Sequence, residues 1–166
     1  MEIIKNLYDL ISILVLYVFF YSIFERDYIM FFGIITSNII HKIIKFSTTG
    51  LNNRIFDRPK KNFNNNLFNQ GGYSNRSGFP SGHMTTISFF TNTLLFRNND
   101  YSVFAIVIFN IPCLFMALAR YYRHSHNVIQ IIAGYILGLF CALYFYTYQS
   151  YIDNFINKFY KQYIYA

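Results

Sequence analysis

Four long stretches of this chain are almost free of charge, and that constrains its fold more than any other feature. Leu7 to Phe24 contains one acidic residue, Asp9, near its start. Tyr28 to Ile40 is apolar apart from Thr36, Ser37 and Asn38, and Tyr101–Leu118 and Val128–Tyr148 carry no charge at all. A helix that crosses a bilayer needs about 20 mostly apolar residues, within a range of about 17–25. Three of the runs meet that length, and the second meets it if Lys42 and Lys45 extend their ammonium groups to the interface. A soluble helical bundle is the competing reading. Soluble domains carry about 25% charged residues, whereas only 13% of these 166 are charged.

A shorter run, Met84–Phe96, is richer in Thr and Ser and reads as a span packed inside the bundle. The expected architecture is therefore all-α: one membrane-embedded domain over residues 1–166, with about five transmembrane helices near 7–24, 28–46, 81–96, 101–119 and 127–148. The first run is longer than the apolar core of a signal peptide and is followed by Glu25, Arg26 and Asp27 rather than small residues. It is expected to be a retained span. Cys113 and Cys141 fall in apolar runs without metal-type spacing and read as core residues. The C-terminal stretch from Gln149 to Ala166 mixes aromatic and polar residues, as an interfacial aromatic belt or a partly ordered tail would.

Two basic stretches separate the spans. Ser47–Pro80 is rich in Asn and Gly and carries Arg54, Arg58, Lys60, Lys61 and Arg76; Arg120–His126 is short. With five spans both fall on one membrane side and can meet. The net charge of +7 fits anionic headgroups, a phosphate site or a topology bias, and nucleic acid is not an expected partner. Ten Lys and Arg lie on the predicted site side and four on the other. The positive-inside rule would make the site cytoplasmic, while Asn75-Arg76-Ser77 is a sequon that would fit a lumenal loop.

Three clusters carry chemistry. Arg58-Pro59 is the first, Pro80-Ser81-Gly82-His83 the second, and Arg120 followed after five residues by His126 the third. Ser81 is placed to cap the third helix, whose first backbone N–H groups suit an oxyanion. Gly82 permits close approach of a ligand, and His83 sits beside that anion site, where it can donate a proton near neutral pH. Arginine grips phosphate oxygens through paired hydrogen bonds, and a neutral histidine can attack phosphorus. His124 with His126, His83 or His41 is a weaker metal-ligand candidate, with no carboxylate or thiolate in support.

In order and spacing these clusters resemble the type 2 phosphatidic acid phosphatase superfamily (lipid phosphate phosphatase, haloperoxidase-like). Its pattern is K-x6-R-P, then P-S-G-H, then S-R-x5-H-x3-D. The resemblance covers about Arg58 to Gly138, with Gly134 and Gly138 where family glycines are expected. It implies a metal-independent, cofactor-free hydrolase acting at one membrane face on a lipid phosphate or diphosphate, phosphatidate-like or polyprenyl. It implies His126 as the nucleophile that forms a phosphohistidine and His83 as the general acid. Arg58, Arg120, Ser81 and Gly82 would hold the phosphoryl oxygens.

The chain departs from that pattern at three positions. Leu51 stands where the lysine is expected, leaving Lys45 or Lys42 as a substitute, and Ala119 replaces the serine before Arg120. Gln130 replaces the aspartate four residues after His126. It can accept a hydrogen bond from the imidazole on a shared helix face but cannot stabilise an imidazolium by charge. In a serine-protease triad the comparable change costs roughly 10⁴ in rate. A second reading is therefore a catalytically degenerate member that binds anionic lipid or a protein partner in the membrane.

Overall fold

The computed structural model describes residues 13–14, 16–25, 27–51, 54–59 and 77–163. Helix is the regular secondary structure of those residues, joined by turns and short irregular segments. Helix α1 covers 13–14 and 16–24, α2 Tyr28–Thr48, α3 Gly82–Asn98, α4 Val103–Tyr122, α5 Val128–Thr147 and α6 Gln149–Tyr163. The expected start of the first span at residue 7 and the basic residues Lys60, Lys61 and Arg76 lie outside the described residues, as do Asn75 and Arg76 of the sequon.

Helices α2, α4 and α5 begin where the sequence supplies an acceptor for unpaired N–H groups. Asp27 accepts from the Met30 N–H at 2.9 Å and Ser102 from that of Ala105 at 3.2 Å. Asn127 and Gln130 form a reciprocal capping box at the start of α5. Helix α3 ends on Asn99 in the left-handed region (φ 53°), a conformation Asn tolerates better than most residues.

Three helices, α2, α4 and α5, are long and apolar enough to cross a membrane. Their large apolar side chains turn outward: Val103 is 79% exposed, Phe104 75% and Phe140 65%. A soluble monomer does not display so continuous an apolar surface, whereas lipid tails cover it. The chain is a multi-pass integral membrane protein.

Helix α3 lies at the centre, packed on α2, α4 and α5, with its largest interface to α5. Its sequence is more polar than those of α2, α4 and α5 because it faces protein rather than lipid. Thr85, Thr86, Ser88, Thr91, Asn92 and Thr93 are all buried. Most bond back to carbonyls one turn earlier, as Thr93 does to Phe89 at 2.7 Å and Asn92 to Ser88 at 2.8 Å. Ser88 reaches across to the Tyr135 carbonyl at 2.7 Å.

Two glycines set the α3–α5 distance. A Cβ on Gly134 would lie 2.5 Å from the Ser81 carbonyl oxygen, and one on Gly138 2.4 Å from that of Thr85. The backbones touch there, and no side chain fits between them. At the opposite end of α3, Arg97 forms a bidentate ion pair with Asp27, including an Nη2–Oδ1 bond of 2.9 Å. Burial disfavours the charge on Asp27, but the Arg97 hydrogen bond, the Met30 N–H and the Arg97 charge together hold its pKa below the usual range.

The structure adds to one expectation and corrects another. The aromatic residues after Tyr148, read as an interfacial belt or a partly ordered tail, are carried on a sixth helix, Gln149–Tyr163, which packs on α2 and α5. Helix α4 runs on to Tyr122, so Arg120 belongs to its last turn rather than to the following loop.

Candidate active site

Four helix ends meet at one side of the bundle: the C-termini of α2 and α4 and the N-termini of α3 and α5. Each brings a residue that the sequence singles out. Lys45 occupies the last turn of α2 and Arg120 the last turn of α4. Ser81 is the N-cap residue of α3, followed by Gly82 and His83, and His126 immediately precedes the Asn127 cap of α5. The turn at 54–58 carries Arg58 across this end.

His126 is buried, 3% exposed. Its Nδ1 lies 2.9 Å from the Gly78 carbonyl oxygen and 3.2 Å from Gln130 Oε1. Both partners are acceptors, so the proton sits on Nδ1 and the Nε2 lone pair remains outside this pair of contacts. Gln130 is turned the same way by its other partners. Its Nε2 donates to the carbonyls of Ile55 at 2.9 Å and Asp57 at 2.8 Å, and its Oε1 accepts from the Asn127 N–H at 3.2 Å. Burial, then the charges of Arg120, Arg58, Lys45 and His83, holds the His126 pKa well below the ordinary histidine value. The imidazole is therefore neutral at neutral pH.

Arg58 and Arg120 act electrostatically on both His126 and His83, as does Lys45. Arg58 Nη1 also donates to the Ser125 carbonyl at 3.2 Å, next to His126. Arg120 is 1% exposed and its carbonyl accepts from the Ser125 N–H at 3.1 Å, which closes the turn that presents His126. The structure thus brings together Arg58, Arg120, His83 and His126, and it brings Lys45 to them although it lies well outside the expected spacing from Arg58.

Ser81 differs from its expected role. It stands at the N-cap position, but its hydroxyl makes no capping bond; its Oγ is fully buried with no partner among the described residues. Its backbone does the anchoring: the N–H donates to the Gln130 carbonyl at 3.0 Å, and the carbonyl accepts from Thr85 N–H at 2.9 Å. The Ser81 hydroxyl and the first N–H groups of α3 are consequently free of the usual cap bond, as an oxyanion site requires.

Three contributors are weakly marked in the sequence. His41 is buried with its Nε2 against Gly82, where an added Cβ would come within 2.6 Å. Its signal was its position one turn before Lys45 on the inward stripe Met30, Ile34, Ser37 of α2. Gly78 supplies the carbonyl for His126 and has no room for a side chain, since a Cβ would lie 2.4 Å from Gln130 Oε1. Asn127 caps α5 and also donates to the Arg54 carbonyl at 3.2 Å. His124 is exposed at φ 51°. Among the described residues no three His, Cys, Asp or Glu side chains converge as metal ligands would.

The site can therefore present a neutral imidazole, a second histidine and a cluster of cations to one anion. A family model described as the PAP2 superfamily matches residues 26–153, which include all three clusters. No curated protein and no solved structure gave a significant match to the chain.

Proposed function

Because the chain belongs to the PAP2 superfamily, we propose that it hydrolyses a membrane lipid phosphate or diphosphate without a metal, through a phosphohistidine on His126. Membership supports phosphatase-type chemistry on phosphate esters. The lipid substrate is inferred from the bundle itself: a site at the end of lipid-facing helices receives a headgroup while its tail stays in the bilayer.

The observation that carries the reading is the state of His126. Its Nδ1 proton is committed to Gly78 and Gln130, and burial together with cationic neighbours keeps the ring neutral. Nε2 attacks phosphorus, and the bond from phosphorus to the leaving oxygen breaks. His83, protonated as the negative charge of the bound phosphate offsets the surrounding cations, donates a proton to that oxygen, releasing an alcohol or, from a diphosphate, a lipid monophosphate. Water then attacks the phosphohistidine, His83 takes its proton, and orthophosphate leaves with His126 restored. Arg58, Arg120, Lys45, the Ser81 hydroxyl and the first α3 N–H groups neutralise charge on the three phosphoryl oxygens. The phosphorylated ring is cationic, and the Gly78 and Gln130 oxygens face its Nδ1–H.

The test is phosphate release by detergent-purified protein, in EDTA, from phosphatidate, lysophosphatidate and a polyprenyl diphosphate. Wild-type protein releases phosphate, His126→Ala abolishes the release, and His83→Ala slows it by about 10²–10⁴. A His126→Ala variant at wild-type rate would sink the mechanism. Wild-type protein inert towards every substrate would favour the degenerate, lipid-binding reading.

A further inference from the structure

Gln130 is the position at which this chain departs most from the family pattern, and the structure gives the amide work that a carboxylate cannot perform. Its side chain is fully buried. Oε1 accepts from His126 Nδ1 and from the Asn127 N–H, each at 3.2 Å. Nε2 donates to Ile55 and Asp57 carbonyls at 2.9 and 2.8 Å. The amide cannot be reversed, because Nε2 faces two groups that only accept and Oε1 faces a backbone N–H.

Those two carbonyls belong to the turn that carries Arg58. Four successive carbonyls there are held from outside the turn. Arg54 accepts from Asn127 Nδ2 at 3.2 Å, and Phe56 from the Gly78 N–H at 2.7 Å and the Ser77 hydroxyl at 3.3 Å. Ile55 and Asp57 depend on Gln130. Of these five hydrogen bonds, two come from one amide.

We propose that Gln130 is a positioning residue that sets both the His126 ring and the Arg58 guanidinium, with its oxygen on one and its nitrogen, through the 54–58 turn, on the other. This rests on the phosphohistidine reading for what His126 does, and on geometry alone for the link to Arg58. A carboxylate at 130 keeps the acceptor for His126 but loses both donors. It turns negative charge towards two carbonyl oxygens, which loosens the turn. In this chain the family's aspartate is therefore the poorer group, and the glutamine is a working part of the site rather than a mark of decay.

The test compares Gln130→Glu, which keeps length and acceptor, with Gln130→Asp, Arg58→Ala and the double variant Gln130→Glu/Arg58→Ala in the full chain. Phosphatidate in mixed micelles gives kcat and KM, and orthovanadate-induced thermal stabilisation reports anion binding without turnover. Gln130→Glu should raise KM about tenfold with a smaller change in kcat and weaken the vanadate effect, and Gln130→Asp should not exceed wild type. On the Arg58→Ala background the Gln130→Glu increase in KM should vanish, because the group it misplaces is gone. Gln130→Asp at or above wild-type activity, or a KM penalty that persists in full without Arg58, overturns the proposal. Should Gln130→Glu fail to fold, Gln130→Met, neutral and of similar length, takes its place in the same cycle, and additivity with Arg58→Ala overturns the proposal. Vanadate binding separates this outcome from failure of the phosphohistidine reading. His126→Ala turning over normally defeats that reading, while the coupling of Gln130 to Arg58 is still measured.

Discussion

Replacing Gly134 with alanine should damage catalysis from inside the membrane. The new Cβ would sit 2.5 Å from the Ser81 carbonyl oxygen and 3.1 Å from Met84 Cβ. Ordinary contact begins near 3.4 Å, so α3 and α5 must separate by 3.4 − 2.5, about 0.9 Å. The obstacle is backbone, which cannot rotate out of the way. Overpacking of this kind costs about 1–3 kcal/mol. The displacement falls at Ser81, next to His83 and the start of α3, while His126 precedes α5. A misplacement of about 1 Å between reacting groups can cost about 10² in rate. Gly134→Ala should therefore lower kcat by roughly ten- to a hundredfold while the protein still folds. Gly138→Ala meets the Thr85 carbonyl one turn deeper and should cost similar stability with a smaller effect on kcat. Thermal unfolding in detergent and phosphate release, measured on both variants, check this. A Gly134→Ala protein with lowered stability and wild-type kcat would refute the claim that α3–α5 contact sets the spacing of the two histidines.

Two further outcomes follow from buried groups. Ser81 Oγ has no partner among the described residues, so Ser81→Ala should leave thermal stability unchanged or raised while kcat/KM falls; lost stability with unchanged kcat/KM would remove the hydroxyl from the site. Burial and the charges of Arg120, Arg58, Lys45 and His83 depress the His126 pKa below 6.5, so the neutral nucleophile persists on the acid side. Removing one of those charges in Arg58→Gln makes protonation easier and should move the acid limb of the kcat/KM–pH profile to higher pH; a limb that stays put refutes this. The same depression means that the unfolded chain takes up a proton first as pH falls. His126 therefore contributes stability above its unfolded pKa near 6.5 that declines as pH drops through that value and levels off below the folded one.

Much of this architecture was legible in the sequence. The α2 and α5 boundaries fall within two residues of the spans expected near 28–46 and 127–148, because span length is dictated by the bilayer. The motifs Arg58-Pro59, Pro80–His83 and Arg120–His126 were visible as spacing alone, and the structure brings them to one end of the bundle. Other features were not visible because they depend on pairs distant in the chain. Gln130 reads as a lost carboxylate until its Nε2 is seen on Ile55 and Asp57, more than seventy residues earlier. Lys45 is out of register with the family spacing, and only the docking of α2 brings it within reach of both histidines. Arg120 read as a loop residue because Arg and Tyr at an apolar boundary do not mark where a helix stops. The aromatic–polar mixture after Tyr148 has helical periodicity, which its aromatic content masked.

The Asp27–Arg97 pair has a consequence for the evolution of the connection between α2 and α3. These helices run antiparallel and are joined at one end by that ion pair and at the other by the contact of His41 with Gly82. Two rods fastened at both ends keep their relative register whatever the length of the chain between them. Lengthening such a segment adds closure entropy only logarithmically, about 0.6 kcal/mol per doubling. A change in the length of the connection between α2 and α3 therefore need not shift the helix ends that frame the candidate site, so long as Thr49 and the 54–58 turn keep their anchoring bonds.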